Sequence, residues 1–266
     1  MPATETPLTG LDADLALLRD AASEAGRIAL RYFRRDPDVW MKAGDSPVSE
    51  ADIAVDRFLR DSLMAARPGH GWLSEETADD LARLGARRTF VVDPIDGTRA
   101  FVEGRDVWCV SVAIVENGHA LAGVLDCPAL GEVFEATLGG GARRNGMALA
   151  VNGRRDQPVV GGPAWMTRSL PEETRRRMQK VSHVPSLAYR LAMVADGRLD
   201  GTFIRPDSHD WDIAAAGLML REAGGALFGE DGTAPLLATR DPRRGRMAAG
   251  SPAMVPQMLE ALRSMS

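Results

Sequence analysis

Apolar residues recur at steps of three and four between Leu11 and Arg34, through Leu18, Ala22, Ala25, Ala29 and Phe33. That period predicts one long helix, ended by Pro37. A Gly44-Asp45-Ser46-Pro47 loop follows. Ser49 then stands as an N-cap with Asp52 three residues on, the capping-box spacing with Asp in the place usual for Glu or Gln. Ile53, Val55, Phe58, Leu59 and Leu63 carry this second helix onward. Beyond it the pattern changes to short β-branched runs. Trp72-Leu73, Phe90 to Val92, Val107 to Val115, Ala120 to Leu125 and Glu132 to Ala136 read as strands. Asn117-Gly118, Asp126-Cys127-Pro128, Gly139-Gly140-Gly141 and Asn145-Gly146 read as the breaks between or after them. These pieces predict an antiparallel meander within a large mixed sheet. Asp79 to Gly85 is polar and reads as a surface segment.

The pattern then loosens. Val159-Val160 predicts a short strand, Pro171 to Lys180 a basic amphipathic helix, Ser186 to Ala195 a further helix stopped at Asp196-Gly197, and Leu199 to Ile204 a strand. The Ala-rich run after Trp211-Asp212 predicts a helix to Glu222, closed by Gly224-Gly225. Its small residues would let it pack close to a sheet. Ala238 and Met247 to Ala249 read as flanking one last strand connection, and Pro256 to Met265 as a closing helix with proline in its first turn. There is no internal repeat and no low-complexity linker.

Composition narrows the function classes. The 266 residues are 45% hydrophobic, enough for one large domain or two joined ones. A net charge of −5 argues against a nucleic-acid polymer as partner. Cys109 and Cys127 lack metal-ligand spacing and read as free buried thiols of a reducing compartment. No apolar run is long enough to span a bilayer, and the first ten residues lack a signal pattern. A cytoplasmic location without membrane attachment is the expectation.

The candidate chemistry sits in Thr89-Phe90-Val91-Val92-Asp93-Pro94-Ile95-Asp96-Gly97-Thr98-Arg99-Ala100-Phe101. A buried strand runs into an acid, a proline, a second acid three residues on, and a tight Gly-Thr turn. One Asx turn would explain one acid and leaves the other unexplained. A hard cation held beside an anion explains both. Asp52, Glu75 and Asp212 are further acids at element ends. Asp52 either caps its helix or handles a water, and Asp212 either complements a helix dipole or binds metal. If the Trp72-Leu73 strand continues, Glu75 and Glu76 point to opposite faces and only one reaches the pocket. An oxygen-only donor set suits Mg²⁺, with Mn²⁺ as a substitute.

Taken together, Ser74-Glu75-Glu76, Asp93-Pro94-Ile95-Asp96-Gly97-Thr98 with Phe101, Trp211-Asp212-Ile213-Ala214-Ala215, and Lys42 with Ser46-Pro47-Val48-Ser49-Glu50-Ala51-Asp52 resemble the inositol monophosphatase superfamily of Mg²⁺-dependent, lithium-sensitive phosphatases. Gly139 to Ala142 with Asn145-Gly146 follows the same pattern, so the likeness covers nearly the whole chain. Ser74 stands where the family usually has Gly, and Ser49 where it often has Thr. The resemblance implies an α/β fold layered as an αβαβα sandwich. Residues 1-150 would form an N-terminal subdomain with most metal ligands, and 151-266 a C-terminal one with Asp212 and the substrate-selecting residues. It implies a first Mg²⁺ on Glu75, Asp93 and the Ile95 carbonyl, a second on Asp93, Asp96 and Asp212, and a weaker third near Glu75. Phosphate would rest on amides around Gly97 and Thr98, with Thr98 and Asp52 positioning the attacking water and Glu75 completing the catalytic set. A homodimer is expected.

Substrate choice turns on one position. Inositol-selective relatives place a glutamate seven residues before the last metal Asp, and here that position is Arg205. Arginine donates and prefers anions, which points to a small phosphate ester with a second negative group. Ser186-Leu187 and the Lys42 loop resemble the bacterial 3′(2′),5′-bisphosphate nucleotidase branch, which removes the 3′-phosphate of adenosine 3′,5′-bisphosphate. Lys42, Ser186 and Arg205 are the expected substrate-binding residues. The alternatives are a broad inositol or sugar-alcohol monophosphatase, a histidinol-phosphatase, and, in another class, a catalytically silent binding or dimerisation module. Arg205 could instead pair with Asp207 or Asp210.

Overall fold

The computed structural model describes residues 10–41, 47–153, 155–179 and 181–265, and Lys42 lies outside them. Among these residues the chain begins with α1 (Gly10–Leu30), a hairpin of β1 (Val39–Met41) and β2 (Pro47–Ser49), and α2 (Glu50–Ala66). Then come β3 (Gly71–Ser74), β4 (Arg88–Asp96), the single turn α3 (Thr98–Val102), β5 (Cys109–Glu116), β6 (His119–Cys127), β7 (Glu132–Thr137), β8 (Gly141–Arg144) and β9 (Met147–Ala148). The remainder is β10 (Val160–Gly161), α4 (Ala164–Thr167), α5 (Glu172–Arg177), α6 (Leu187–Ala195), β11 (Gly201–Ile204), β12 (Ser208–His209), α7 (Asp210–Glu222), β13 (Ala226–Gly229), β14 (Arg243–Arg244), β15 (Met247–Gly250) and α8 (Val255–Ser264).

Strands β3 to β9 form a seven-stranded sheet in chain order, with β3 and β4 parallel and the other neighbours antiparallel. A four-stranded sheet has the order β10-β11-β15-β13. Three apolar cores bind these sheets into five layers. Leu18, Ala22 and Ala25 of α1 and Val55 and Leu59 of α2 pack on one face of the large sheet, against Phe90, Val92, Val112 and Val124. Its other face, with Val91, Ala113 and Phe134, meets α6 and α7, which also cover Ile204 and Ala249 of the small sheet. Phe203 and Phe228 on the far face of that sheet pack under Met258 and Leu262 of α8. This is the layered α/β sandwich that the motifs implied.

Two features of the large sheet aim the chemistry. Asp93 pairs with Ser111 and Asp96 with Cys109, so Pro94 and Ile95 together face only Val110. In a regular strand, residues three apart point to opposite faces. One extra residue reverses that parity. Proline, which has no N–H for the ladder, is tolerated at such a bulge. The second feature is a row of small residues, Ala113, Gly123 and Ala136, side by side on β5, β6 and β7. Helix α7 lies on this row through Ala215, and a Cβ at Gly123 would sit 2.9 Å from the Ala215 Cα.

Several boundaries differ from expectation. The first helix stops at Leu30, and Arg34 and Asp36 adopt left-handed φ of 58° and 54°. Arg34 is drawn to the loop after α3, donating to Gly104 O and Asp106 Oδ1. Strand β6 runs through Cys127, where pairing with Glu132 continues until Pro128 ends it. The predicted surface segment holds a buried arginine: Arg83 pairs with Asp79 and donates to the carbonyls of Ala238 and Thr239. The basic helix shrinks to Glu172–Arg177 with no buried side chain, since Gln179 turns away to bridge Val159. Both cysteines are buried and free.

Gly123→Ala is expected to push α7 off the sheet, because its contact is backbone rather than a flexible side-chain tip. Overpacking of this kind costs about 1–3 kcal/mol. Thermal unfolding checks this, with a lowered midpoint expected and with weakened Mg²⁺ binding if the shift reaches Asp212.

Candidate metal centre

The bulge turns Asp93 and Asp96 toward the α6–α7 layer, and Asp212 enters from the first turn of α7. One carboxylate oxygen from each of the three lies within 4.8 Å of the others. Each acid is fixed by donors nearby. The Ile95 N–H donates to Asp93 Oδ1 at 3.0 Å, and the His209 N–H to Asp212 Oδ2 at 2.7 Å. Asp96 receives the Ser186 hydroxyl at 2.5 Å and the Ala188 and Leu187 amides at 2.6 and 3.2 Å, all at the start of α6. Ser186 is also the N-cap of that helix, its hydroxyl accepting from the Tyr189 N–H. It is fully buried, so its hydroxyl orients a carboxylate of the cluster.

Beside the cluster, Asp52 and Thr98 form a unit. Asp52 Oδ2 accepts from the Ser49 amide at 2.8 Å and the Ser49 hydroxyl at 2.6 Å. Its other oxygen lies 3.1 Å from the Thr98 hydroxyl, which is also 3.0 Å from Ile95 O. The capping reading and the site reading of Asp52 therefore hold together, one on each oxygen. Gly97 takes a φ of 97°, and a Cβ there would stand 3.2 Å from both Val107 O and the Ser186 Cβ. A side chain would block both the turn and the approach of α6.

Glu75 follows β3, with its amide on Val92 O at 3.3 Å. The strand ends at Ser74, so alternation does not decide between Glu75 and Glu76. Asp56 sets the bend instead: it accepts the Ser74 hydroxyl at 2.5 Å and the Thr77 hydroxyl at 2.6 Å. Asp56 lies one helical turn after Asp52 on the same buried face, a signal the motif reading passed over. Ser74, the departure from the familiar Gly, is the residue that makes this anchor possible.

The electrostatics are those of crowded acids, with Asp52, Asp93 and Asp96 buried and Glu75 and Asp212 half-buried. Burial pushes the Asp52 and Asp96 carboxyls up to about 6, with Glu75 adding repulsion in both cases. Burial, then the charges of Glu75, Asp96 and Asp212, holds Asp93 well above the ordinary carboxylate range, and burial followed by Asp96 does the same for Asp212. Buried like charges disfavour ionisation until a cation joins them. Oxygen-only donors, desolvated and crowded, match a hard divalent cation. Asp93, Asp96 and Asp212 fit that role, and Glu75 acts on all three.

Of the residues expected to meet substrate, Lys42 is outside the described residues. Arg205 is exposed after β11 and draws the Asp212 carboxyl down. Among the described residues it forms no ion pair with Asp207 or Asp210, and Asp210 is taken by Arg244 at 2.6 Å. Two neighbours of Arg205 went unnoticed in the sequence. Burial draws the Arg190 guanidinium on α6 below its usual pKa, with Asp96 and Asp212 opposing the shift; its Nη atoms donate to Val184 O and Phe203 O, and its Nε is buried without a hydrogen-bond partner. Burial, then Arg190, Arg105 and Arg205, keeps His183 below its usual pKa.

A family model described as the inositol monophosphatase family matches residues 11–265. An inositol-1-monophosphatase of Mesorhizobium japonicum is 34% identical over 94% of this chain and 96% of its own length. A histidinol-phosphatase of Chlorobaculum parvum is 32% identical, covering 81% of this chain and 85% of its own. The crystal structure of the extragenic suppressor protein suhB of Bartonella henselae superposes with a TM-score of 0.83 at 29% identity, over 94% of this chain and 98% of that one.

The raised carboxyls fix a sign for stability. A folded pKa of about 6 at Asp52 and Asp96, against 3.8 for an ordinary aspartate, means the neutral form suits the metal-free fold. Their contribution is complete below the unfolded value and is lost as pH rises through the folded one. The metal-free protein is therefore expected to melt at lower temperature at pH 7 than at pH 5, and Mg²⁺ should raise the midpoint more at pH 7. Scanning calorimetry after chelation checks both.

Proposed function

The chain belongs to the inositol monophosphatase family and is a phosphatase, and from that premise we propose that it hydrolyses a small phosphate monoester carrying a second anionic group, with adenosine 3′,5′-bisphosphate as the leading substrate. The observation that carries the substrate reading is the cationic rim of Arg205 and Arg190 beside the carboxylate cluster. A polyol offers hydroxyl donors, which want acceptors. A second phosphate offers acceptors, which want these donors. The alternative, an inositol or broad sugar-alcohol monophosphatase, is supported by the names of the relatives. A histidinol-phosphatase would bring a cationic amine against the same rim.

Family members generally use Mg²⁺, and the residues here fit it. In this reading Glu75, Asp93 and the Ile95 carbonyl hold one ion, Asp93, Asp96 and Asp212 a second, and a third sits near Glu75. Bound there, Mg²⁺ would supply positive charge that acidifies a water and stabilises the departing oxygen. The chain's own residues do the rest. Thr98 donates to Asp52 or Ile95 O, so its lone pairs are left to accept a water proton and hold that water in one orientation. Asp52, with its carboxyl raised to about 6, is matched to take a proton near neutrality. Phosphate would lie on the amides around Gly97 and Thr98, which the φ of 97° at Gly97 leaves open to approach. Ser186 acts on substrate through Asp96, and Arg205 directly. Charge that grows during in-line attack meets groups already fixed, so little reorganisation is needed.

The test is a comparison of kcat/KM for adenosine 3′,5′-bisphosphate, inositol 1-phosphate and histidinol phosphate in the wild type and in Arg205→Glu, at matched salt and free Mg²⁺. A charge-assisted bond to the uncleaved phosphate is worth about 1.5–3 kcal/mol. The bisphosphate-to-inositol ratio is expected to fall at least about tenfold in the mutant. An unchanged ratio assigns Arg205 to structure and returns the substrate to the polyol reading.

A further inference from the structure

On the opposite side of the large sheet from α7, helix α1 bridges a cavity of about 290 Å³ above the ends of β6 and β7. Its floor is Asp126, the last residue but one of β6, and its walls include Arg19 and Ser23 of α1, Glu135 of β7 and Asn145 of the turn after β8. Asp126 is 7% exposed, and among the described residues neither oxygen receives a hydrogen bond. The contrast with the metal centre is sharp, because every carboxylate there has at least one donor fixed on it or acts within the cluster. Gly26 lets the carboxylate tuck beneath α1, since a Cβ there would lie 2.1 Å from Asp126 Oδ2.

The charged groups around Asp126 do not neutralise it. From α1, Arg27 is the cation that acts on it, yet Arg27 is held by Glu24 at 2.7 Å. Arg19 binds Glu135 through its Nε at 2.6 Å. From the other wall Asn145 accepts the Val133 N–H on its Oδ1 and donates its Nδ2 to Gly131 O. Among the described groups lining the cavity, the acceptors without a hydrogen bond are the Asp126 carboxylate and the second oxygen of Glu135, with the Ser23 hydroxyl beside them. A buried carboxylate without donors is costly, whether it stays charged or is forced neutral. Burial indeed pushes the Asp126 carboxyl up to about 7.

We propose that this cavity binds a small primary ammonium compound, with its three N–H donors directed to Asp126 at the floor and to Ser23 and Glu135 at the wall. An anion is repelled by the floor. A bare divalent ion finds one available carboxylate rather than three. An ammonium supplies the missing donors and one positive charge, and its short carbon stem lies against Val133. The site is independent of the phosphatase reaction, since Asp126 belongs to neither the carboxylate cluster nor the cationic rim.

Ethanolamine is a suitable probe, titrated into the whole protein and followed by calorimetry at pH 6 and pH 8, with tetramethylammonium as a cation lacking N–H donors. The ligand must meet the ionised carboxylate, and an aliphatic ammonium stays protonated at both values. Affinity is therefore expected to be about tenfold higher at pH 8 than at pH 6, the change in the ionised fraction of a group with pKa about 7. Asp126→Asn removes an unpaired buried charge, so it should fold, melt no lower than wild type at pH 8, and lose ethanolamine binding. Ser23→Ala should weaken binding by severalfold. The proposal is overturned by absence of saturable binding to the wild type at pH 8, by binding that survives Asp126→Asn, or by tetramethylammonium binding as well as ethanolamine.

Discussion

Carboxylates crowded together with little water between them and the core repel one another, and this fold brings one oxygen each of Asp93, Asp96 and Asp212 to within 4.8 Å of the others. Nothing about local propensity favours that arrangement. It exists because the surrounding elements impose it. The bulge at Pro94-Ile95 turns two acids of one strand to the same face. The row Ala113, Gly123, Ala136 lets α7 come close enough for the third. The start of α6 fixes Asp96 with a hydroxyl and two amides. The repulsion is held in place by the packing of the five layers, and a divalent cation bound there would relieve it. In the proposed reading, affinity for metal is built into the fold.

Second contacts refine this. Asp56 holds the Ser74–Thr77 bend that carries Glu75, and Ser49 fixes Asp52 so that its outer oxygen meets Thr98. These bonds leave the carboxylate oxygens in defined places with few rotamers to lose on binding. The cationic rim stands apart from the carboxylates and gives the pocket two signs of charge. A phosphate ester with one end on metal and another anion on arginine uses both, which is the physical content of the substrate reading.

Much of this was legible in the residues themselves. Asp93-Pro94-Ile95-Asp96-Gly97-Thr98 carried its meaning because a proline and two acids at strand spacing make no sense as a plain strand. The two long helices, the antiparallel hairpins and the Ala-rich helix followed from periodicity and turn residues. What escaped depended on contacts between distant segments. Ser186 looked like a substrate residue, while its bond to Asp96 spans ninety positions. Arg83 read as surface because its partners, Ala238 and Thr239, come from far along the chain. Arg34 read as helix because the pull of Gly104 and Asp106 is invisible in a local window. Asp56 had a local signal, its position one turn from Asp52, but its purpose required the bend it holds.

If a cation is what this pocket is strained to receive, its arrival must displace protons. Isothermal titration of Mg²⁺ into the metal-free protein at pH 6, repeated in buffers of different ionisation enthalpy, counts them directly. With Asp52 and Asp96 at about 6 and Asp93 and Asp212 well above the ordinary range, at least about one proton should be released per protein, and fewer as pH rises. Binding heats that are independent of the buffer would show carboxylates already ionised without metal, and would contradict the account of the centre as a cluster of buried charges waiting for a cation.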